Sequence, residues 1–156
     1  MIVYRLAKSK YSRDLSGKGA EIAGGRWNSK GNAVLYTSDS RALCTAEIAV
    51  HTPLGIVPAN FELITIEISD ASECSVVKPE VLPENWHRFP FRRQTQVVGD
   101  QFLKDNENLL LKVPSAVVQG AFNYLLNPAH KNFSEMVSIV NVEVFNFDPR
   151  LFGSSE

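Results

Sequence analysis

The sequence is nearly free of cysteine. Cys44 and Cys74 are the two in 156 residues, there is no CxxC pair, and His51, His87 and His130 do not cluster with them. This argues against a structural zinc site or a redox pair and leaves the expectation of two reduced, half-buried thiols. Neither sign of charge is in excess: 16 basic and 17 acidic residues give a formal net charge of -1. Bulk electrostatic binding of nucleic acid is therefore not expected. No apolar run approaches the roughly 20 residues of a membrane span. The opening MIVYRLAKSK turns polar after six residues, short of the apolar core of a secretory signal, so the expected address is cytoplasmic. Repeats, low-complexity tracts and linkers are absent too, and one domain over residues 1–156 is expected.

The composition, 44% hydrophobic and 21% charged, is that of a soluble globular chain able to bury a full core. IVYRLA reads as a first strand, residues 8–21 as a polar loop, and AVLYTS as a second strand. Ser38, Asp39 or Ser40 can cap a helix over RALCTAEIAVH that stops before Pro53. Residues 61–69 alternate, with Ile64, Ile66 and Ile68 on one side, as in a half-buried strand. Residues 79–93 hold three prolines, a tryptophan and three arginines (Arg88, Arg92, Arg93) and read as a solvated surface loop. TQVVGDQFLKD suggests a helix with Val97, Val98 and Phe102 inward, weakened by Gly99. NLLLKVPSAVV reads as two strands broken at Pro114, FNYLLNPAH as a turn-rich segment, and residues 137–147 as a last long strand. The sum predicts an α+β fold, a single compact domain with a mixed, mostly antiparallel sheet and few helices.

The stretch GGRWNSKGNAVLYTS, residues 24–38, sets Arg26 and Trp27 directly after a glycine pair. Gly24 and Gly25 let the backbone approach a ligand closely or take positive φ. Arg26 has the planar fork that suits phosphate oxygens, and taken alone it reads equally as a surface or salt-bridged arginine. Trp27 reads as packing. Tyr36, at the end of the following strand, is either a core aromatic with its hydroxyl satisfied or part of a site. Glu47 lies four residues after Leu43, at the margin of a stripe of Ala42, Leu43, Ala46, Ala49 and Val50. It is either a boundary carboxylate reaching water or a group held at a pocket wall. Ser115 follows Pro114 and can satisfy local backbone groups. No histidine is spaced as its base, and His130 reads as a turn residue.

Seven segments in order, VYRL, GGRWNSKG, VLYTS, AEIAVH, VPSAVV, NYLLNP.H and FDPRLF, resemble the RES domain from Ile2 to about Phe152. The resemblance implies a fold like that of the diphtheria-toxin type ADP-ribosyltransferases. It implies a toxin of a bacterial toxin–antitoxin pair, inhibited in a hetero-oligomer by an Xre-like helix-turn-helix antitoxin. It further implies NAD+ as substrate, with no other cofactor and with phosphate as an optional co-substrate. The family's arginine, tyrosine, glutamate and serine fall on Arg26, Tyr36, Glu47 and Ser115, and Arg5 matches a further arginine lining the NAD+ pocket. Gly25 joins these as a position of close approach to the substrate. Residues 70–108 match loosely and no site residue is carried over from them. The expected activity is cleavage of the nicotinamide–ribose bond by hydrolysis or phosphorolysis. The alternatives are transfer of ADP-ribose to a protein and a non-catalytic binding module.

Overall fold

The computed structural model describes residues 1–70, 74–91 and 93–153. Its centre is a seven-stranded sheet. In chain order the strands are β1 (Ile2–Lys8), β2 (Leu35–Ser38), β3 (Phe61–Ile68), β4 (Cys74–Val76), β5 (Leu110–Pro114), β6 (Phe122–Leu126) and β7 (Val137–Phe145). They lie side by side as β4-β5-β6-β2-β1-β3-β7. Only β4 and β5 run parallel; all other neighbours are antiparallel. Among the described residues the α-helices are α1 (Lys18–Ala23), α2 (Arg41–Ala49), α3 (Arg93–Asp105) and α4 (Phe133–Met136). The expected α+β fold with a mixed, mostly antiparallel sheet is what the chain adopts.

Alternation explains the long strands. Ile64, Ile66 and Ile68 of β3 are fully buried in one cluster with Val3 and Ala7 of β1 and Leu126 of β6. The opposite parity, Leu6 and Leu63, packs with Cys44 of α2 and with Phe147 and Phe152. A third cluster joins Trp27, Phe102 of α3 and Leu111, Val113 and Leu125 of the sheet.

Several segments differ from the sequence reading. Residues 18–23 form α1, which begins inside the supposed loop of residues 8–21 and runs past its end. FNYLL is no turn but β6, paired on both sides by β2 and β5. A strand ladder supplied by two neighbours outweighs the weak local pattern of this stretch. After Pro114 no second strand forms: residues 116–120 are bends and turns. In α3, Phe102 is buried as expected, but Val97 is 56% exposed; Thr95 and Gly99 take the inward face. Residues 79–91 are largely irregular apart from a short 3-10 turn at Pro79–Val81, and Arg92 lies outside the described residues. Of the two free thiols, Cys44 is buried and Cys74 exposed, so neither is half-buried.

The sheet has one seam. β1 and β2 share a single register pair, Tyr4 with Ser38, whereas every other neighbouring pair shares at least three. Residues of both strands line a cleft.

Candidate active site

The cleft, of about 770 Å³, is lined by Tyr4, Arg5 and Leu6 of β1 and by Tyr36, Thr37 and Ser38 of β2. Cys44, Glu47 and Ile48 of α2, Gly24–Trp27, Ala116, Val117 and Asn123 of β6 also line it. Its mouth carries Val50, His51, His87, Phe89 and Phe91. The volume falls within the range of about 300–1,000 Å³ common for small-molecule sites.

Glu47 reaches the cleft because α2 is rotated from the stripe expected of it. Ser40 caps the helix, its hydroxyl accepting from the Leu43 N–H at 3.2 Å. The buried residues of α2 are Leu43 and Cys44, while Ala42 and Val50 are exposed. Glu47 follows them by four and three residues, which places it between them on the helix wheel and facing inward. Two donors meet one of its oxygens: the Ser115 hydroxyl at 2.9 Å and the Asn123 side-chain amide at 2.7 Å, both to Oε1. Oε2 has no hydrogen-bond partner among the described residues. Ser115 is buried and stands behind Glu47. Its oxygen also accepts from the N–H groups of Val117 and Val118, each at 3.1 Å, so it caps the turn after β5 as well as holding the carboxylate.

The loop before β2 is a tight turn. The Gly25 N–H donates to the Asn28 carbonyl at 2.9 Å and the two residues form an isolated bridge. This sends Trp27 inward, where it is 3% exposed and lies 6.0 Å from the ring of Trp86, and leaves Arg26 on the cleft side. Gly24 takes φ of 69°, open to glycine at little cost. Gly25 is needed for space: a Cβ there would stand 2.7 Å from the Tyr36 hydroxyl and 2.9 Å from Asn28 Oδ1. The close approach is thus to the protein's own tyrosine.

Tyr36 is fully bonded at its tip. Its hydroxyl accepts from the Trp27 N–H at 3.1 Å and donates to Asn28 Oδ1 at 2.8 Å. Burial pushes the phenol well above its ordinary value of 10.0, the Trp27 hydrogen bond opposing. Asn28, itself fully buried, donates to the carbonyls of Ala20 and Asn32 at 2.8 and 2.9 Å. One face of α3 closes on this loop. Gln96 donates to the carbonyls of Gly25 and Asn28 at 3.0 and 3.2 Å. Asp100 accepts from the Ser29 N–H and from Asn32 Nδ2, each at 2.8 Å, and from the Ser29 hydroxyl. Gly99 lies between these two grips.

Both arginines are held by backbone carbonyls. Arg26 Nη1 donates to the carbonyls of Trp86 at 2.6 Å and Arg88 at 3.2 Å. Arg5 Nη1 donates to those of Asp14 at 3.1 Å and Tyr11 at 3.3 Å. Neither forms an ion pair among the described residues. Burial lowers the pKa of each guanidinium. For Arg26 the charge of Glu47 acts in the opposite sense, and for Arg5 that of Asp14. A carbonyl orients a guanidinium without neutralising it, so the Arg26 charge stays available to an anion.

The cleft therefore gathers Arg5, Gly25, Arg26, Tyr36 and Glu47, with Ser115 one layer behind Glu47. Sequence reasoning missed Asn28, Asp100, Gln96 and Asn123. Asparagine and aspartate are common turn and surface residues, and nothing in their spacing singles these out. His130, by contrast, sits in a turn as read: its Nδ1 accepts from the Asn132 N–H at 3.3 Å. No group of three or more His, Cys, Asp or Glu side chains is placed to hold a metal among the described residues. Nor is any of their helices long and apolar enough to cross a membrane.

A protein from Yersinia enterocolitica named Toxin Res is 40% identical over 152 residues, covering 97% of this chain and 99% of the relative. The Prs ADP-ribosylating toxin of a Sphingobium species is 37% identical over 147 residues, covering 93% and 91%. In fold, the chain is similar to one in the crystal structure of the Mycobacterium tuberculosis MbcT–MbcA toxin–antitoxin complex. The TM-score is 0.72 at 21% identity, over 97% of this chain and 86% of that one. The RES domain model matches residues 2–148, and the chain belongs to the RES domain family.

Proposed function

We propose that this protein is the toxin of a toxin–antitoxin pair and that it consumes NAD+ by cleaving the bond between nicotinamide and ribose. The observation that carries this reading is the pairing, in one cleft, of an oriented carboxylate on Glu47 with a guanidinium on Arg26 that forms no ion pair among the described residues. The names of the relatives, toxins throughout, support the biological half of the proposal.

In the proposed reaction the N-glycosidic bond breaks and its electron pair goes to the pyridinium nitrogen. Nicotinamide leaves neutral, so no general acid is needed. The ribose carbon becomes oxocarbenium-like, as in other glycosyl transfers. Glu47 stabilises that developing positive charge and holds the ribose hydroxyls through Oε2. The fixed Oε1 limits the reorganisation required of it. Arg26 binds the diphosphate, with Arg5 adding positive charge at the same wall. Tyr36 offers a ring face to the cationic nicotinamide, a contact worth about 0.5–2 kcal/mol. Ser115 acts through Glu47. Water or inorganic phosphate then attacks the ribose carbon; water gives up a proton as it bonds and leaves ADP-ribose, phosphate leaves phosphorylated ADP-ribose.

The test is purified protein with NAD+, with and without phosphate, analysed by mass spectrometry. Nicotinamide plus ADP-ribose identifies hydrolysis, and nicotinamide plus phosphorylated ADP-ribose identifies phosphorolysis. Intact NAD+ in both samples overturns the proposal. A second reading, transfer of ADP-ribose to a protein, is favoured by the name of the Sphingobium relative. It predicts label from NAD+ on a discrete cellular protein. A binding module without catalysis would keep its effect on cells in Glu47→Gln. An enzyme of this kind harms its own cell, so we also propose an inhibiting partner, an Xre-like helix-turn-helix antitoxin in a hetero-oligomer. The complex in which the structural neighbour was solved supports such a pairing. A gene neighbourhood without a small helix-turn-helix protein would count against it.

A further inference from the structure

We infer that Asn123 is a positioning residue for the Glu47 carboxylate, with Ser38 setting the direction of its amide. This rests on the reading of Glu47 as the group that stabilises the ribosyl cation.

Ser38 on β2 and Asn123 on β6 face each other across the ladder. The Ser38 hydroxyl donates to Asn123 Oδ1 at 2.7 Å, and Asn123 Nδ2 donates to Glu47 Oε1 at 2.7 Å. The direction of this chain is fixed by chemistry. An ionised carboxylate only accepts, so the amide nitrogen must face it; the amide oxygen then faces Ser38, whose hydroxyl must donate. Ser38 is 5% exposed, so its proton has little solvent to turn to. The strand ladder thereby dictates which face of the amide meets Glu47.

The choice of an amide has a consequence for the reaction. Asn123 gives the carboxylate a hydrogen bond without a counter-charge. A lysine or arginine in its place would hold Glu47 equally well but cancel the negative field at the ribose. A second acid would repel it. Together with the Ser115 hydroxyl on the same oxygen, Asn123 fixes the rotation of the carboxylate and leaves Oε2 without a hydrogen-bond partner among the described residues. Two neutral donors on one oxygen thus hold Glu47 without bringing a counter-charge to it.

The experiment compares wild type with Asn123→Ala, Asn123→Asp and Ser38→Ala for NAD+ cleavage from pH 5 to 9, with thermal denaturation alongside. Asn123→Ala is expected to lower kcat by about 10- to 100-fold, the range for a hydrogen bond to a charged group, with KM changed less than about threefold. Ser38→Ala is expected to act in the same direction and less. Asn123→Asp keeps the shape, so it tests the idea even where the alanine variant folds poorly. It is expected to be inactive at pH 8 and to regain activity toward pH 5, where the introduced carboxyl takes a proton and can donate to Glu47 again. A merely structural role predicts the same loss at every pH. Wild-type kcat in Asn123→Ala, or a loss in Asn123→Asp that does not vary with pH, overturns the inference. A readout free of NAD+ separates this from the function itself. In protein labelled with carbon-13 at the glutamate carboxyl, the Glu47 resonance, assigned by Glu47→Gln, should move in Asn123→Ala. It should do so whether or not the wild type cleaves NAD+. An unmoved resonance rejects the positioning role; a moved one with intact NAD+ rejects only the proposed reaction.

Discussion

The backbone carbonyl of Trp27 occupies the space in which a side chain on Gly99 would stand. A Cβ on Gly99 would overlap the carbonyl oxygen outright and lie 2.8 Å from the carbonyl carbon. The loop carrying Arg26 is thus pressed against the bare backbone of α3, between the grips of Gln96 and Asp100.

This contact decides the sign of one substitution. Alanine for glycine inside a helix ordinarily gains up to about 1 kcal/mol. Here overpacking against backbone costs about 1–3 kcal/mol or more, and backbone has little freedom to yield. Gly99→Ala is therefore expected to destabilise the protein by about 2 kcal/mol, lowering Tm by several degrees. It should also raise KM for NAD+, because the Arg26 turn is displaced. Urea denaturation gives the first quantity and steady-state kinetics the second. A stabilised variant would refute the close packing.

Glu47 and Ser115 should separate in kinetics. Glu47→Gln and Arg26→Ala remove groups proposed to meet the substrate and are expected to abolish turnover with the fold intact. Ser115→Ala removes one of two donors on Glu47 Oε1, so a partial loss of about 10- to 100-fold is expected. Mass-spectrometric assay of nicotinamide release ranks the three. A Ser115→Ala enzyme as dead as Glu47→Gln would assign the serine a larger part than its place behind the carboxylate allows.

Stability should fall in alkali, and the groups responsible can be named. Burial raises Tyr36 above its ordinary 10.0 and Cys44 from 9.0 to about 11. Both groups hold their protons more tightly when folded, so the folded form binds more protons than the unfolded one in that window. The stabilisation is complete below the unfolded values and is lost as pH rises through the folded ones. Each group contributes a slope of up to about 1.4 kcal/mol per pH unit, Cys44 from about pH 9 and Tyr36 from about pH 10. Urea titrations between pH 8 and 11 should show the decline, with the part above pH 10 reduced in Tyr36→Phe. That variant also starts lower, since the Trp27 N–H and Asn28 Oδ1 lose a partner.

The two thiols should react at different rates. Cys74 is exposed, whereas Cys44 is buried beside the cleft with its thiol held protonated. A disulfide reagent at pH 8 is expected to modify one thiol per chain, and the second only after denaturation. Cys74→Ser should remove the fast phase. Two equally fast thiols would show that α2 opens readily from the sheet.

The elements visible in the sequence were those whose burial is one-sided. β3 alternates because one face meets the isoleucine cluster and the other the phenylalanine cluster, and β1 and β7 share that logic. β6 hid because one of its two partners, β2, comes from a distant part of the chain, with β5 its hairpin neighbour on the other side, and Asn127-Pro128 just beyond it signals a turn. α1 is one and a half turns of glycine-containing sequence, below the length at which periodicity speaks. In the site, Arg26, Tyr36 and Glu47 have distinctive chemistry and family motifs around them. Asn28, Asp100 and Asn123 matter through partners that are 68 to 76 residues away in five of their bonds, and no local pattern encodes such bonds. The rotation of α2 was likewise hidden, because its exposed alanine and valine look apolar on a wheel.

The turn at Gly25 and the seat of Gly99 leave those positions no room to vary, and the cleft floor must keep its shape through any change of sequence. The mouth is under no such constraint: Phe89 is 73% exposed, and His87 beside it is open as well. Substitutions there cost little stability. Under the cleavage proposed above, new side chains at His87 and Phe89 would offer a different acceptor while the backbone carbonyls of Trp86 and Arg88 go on holding Arg26.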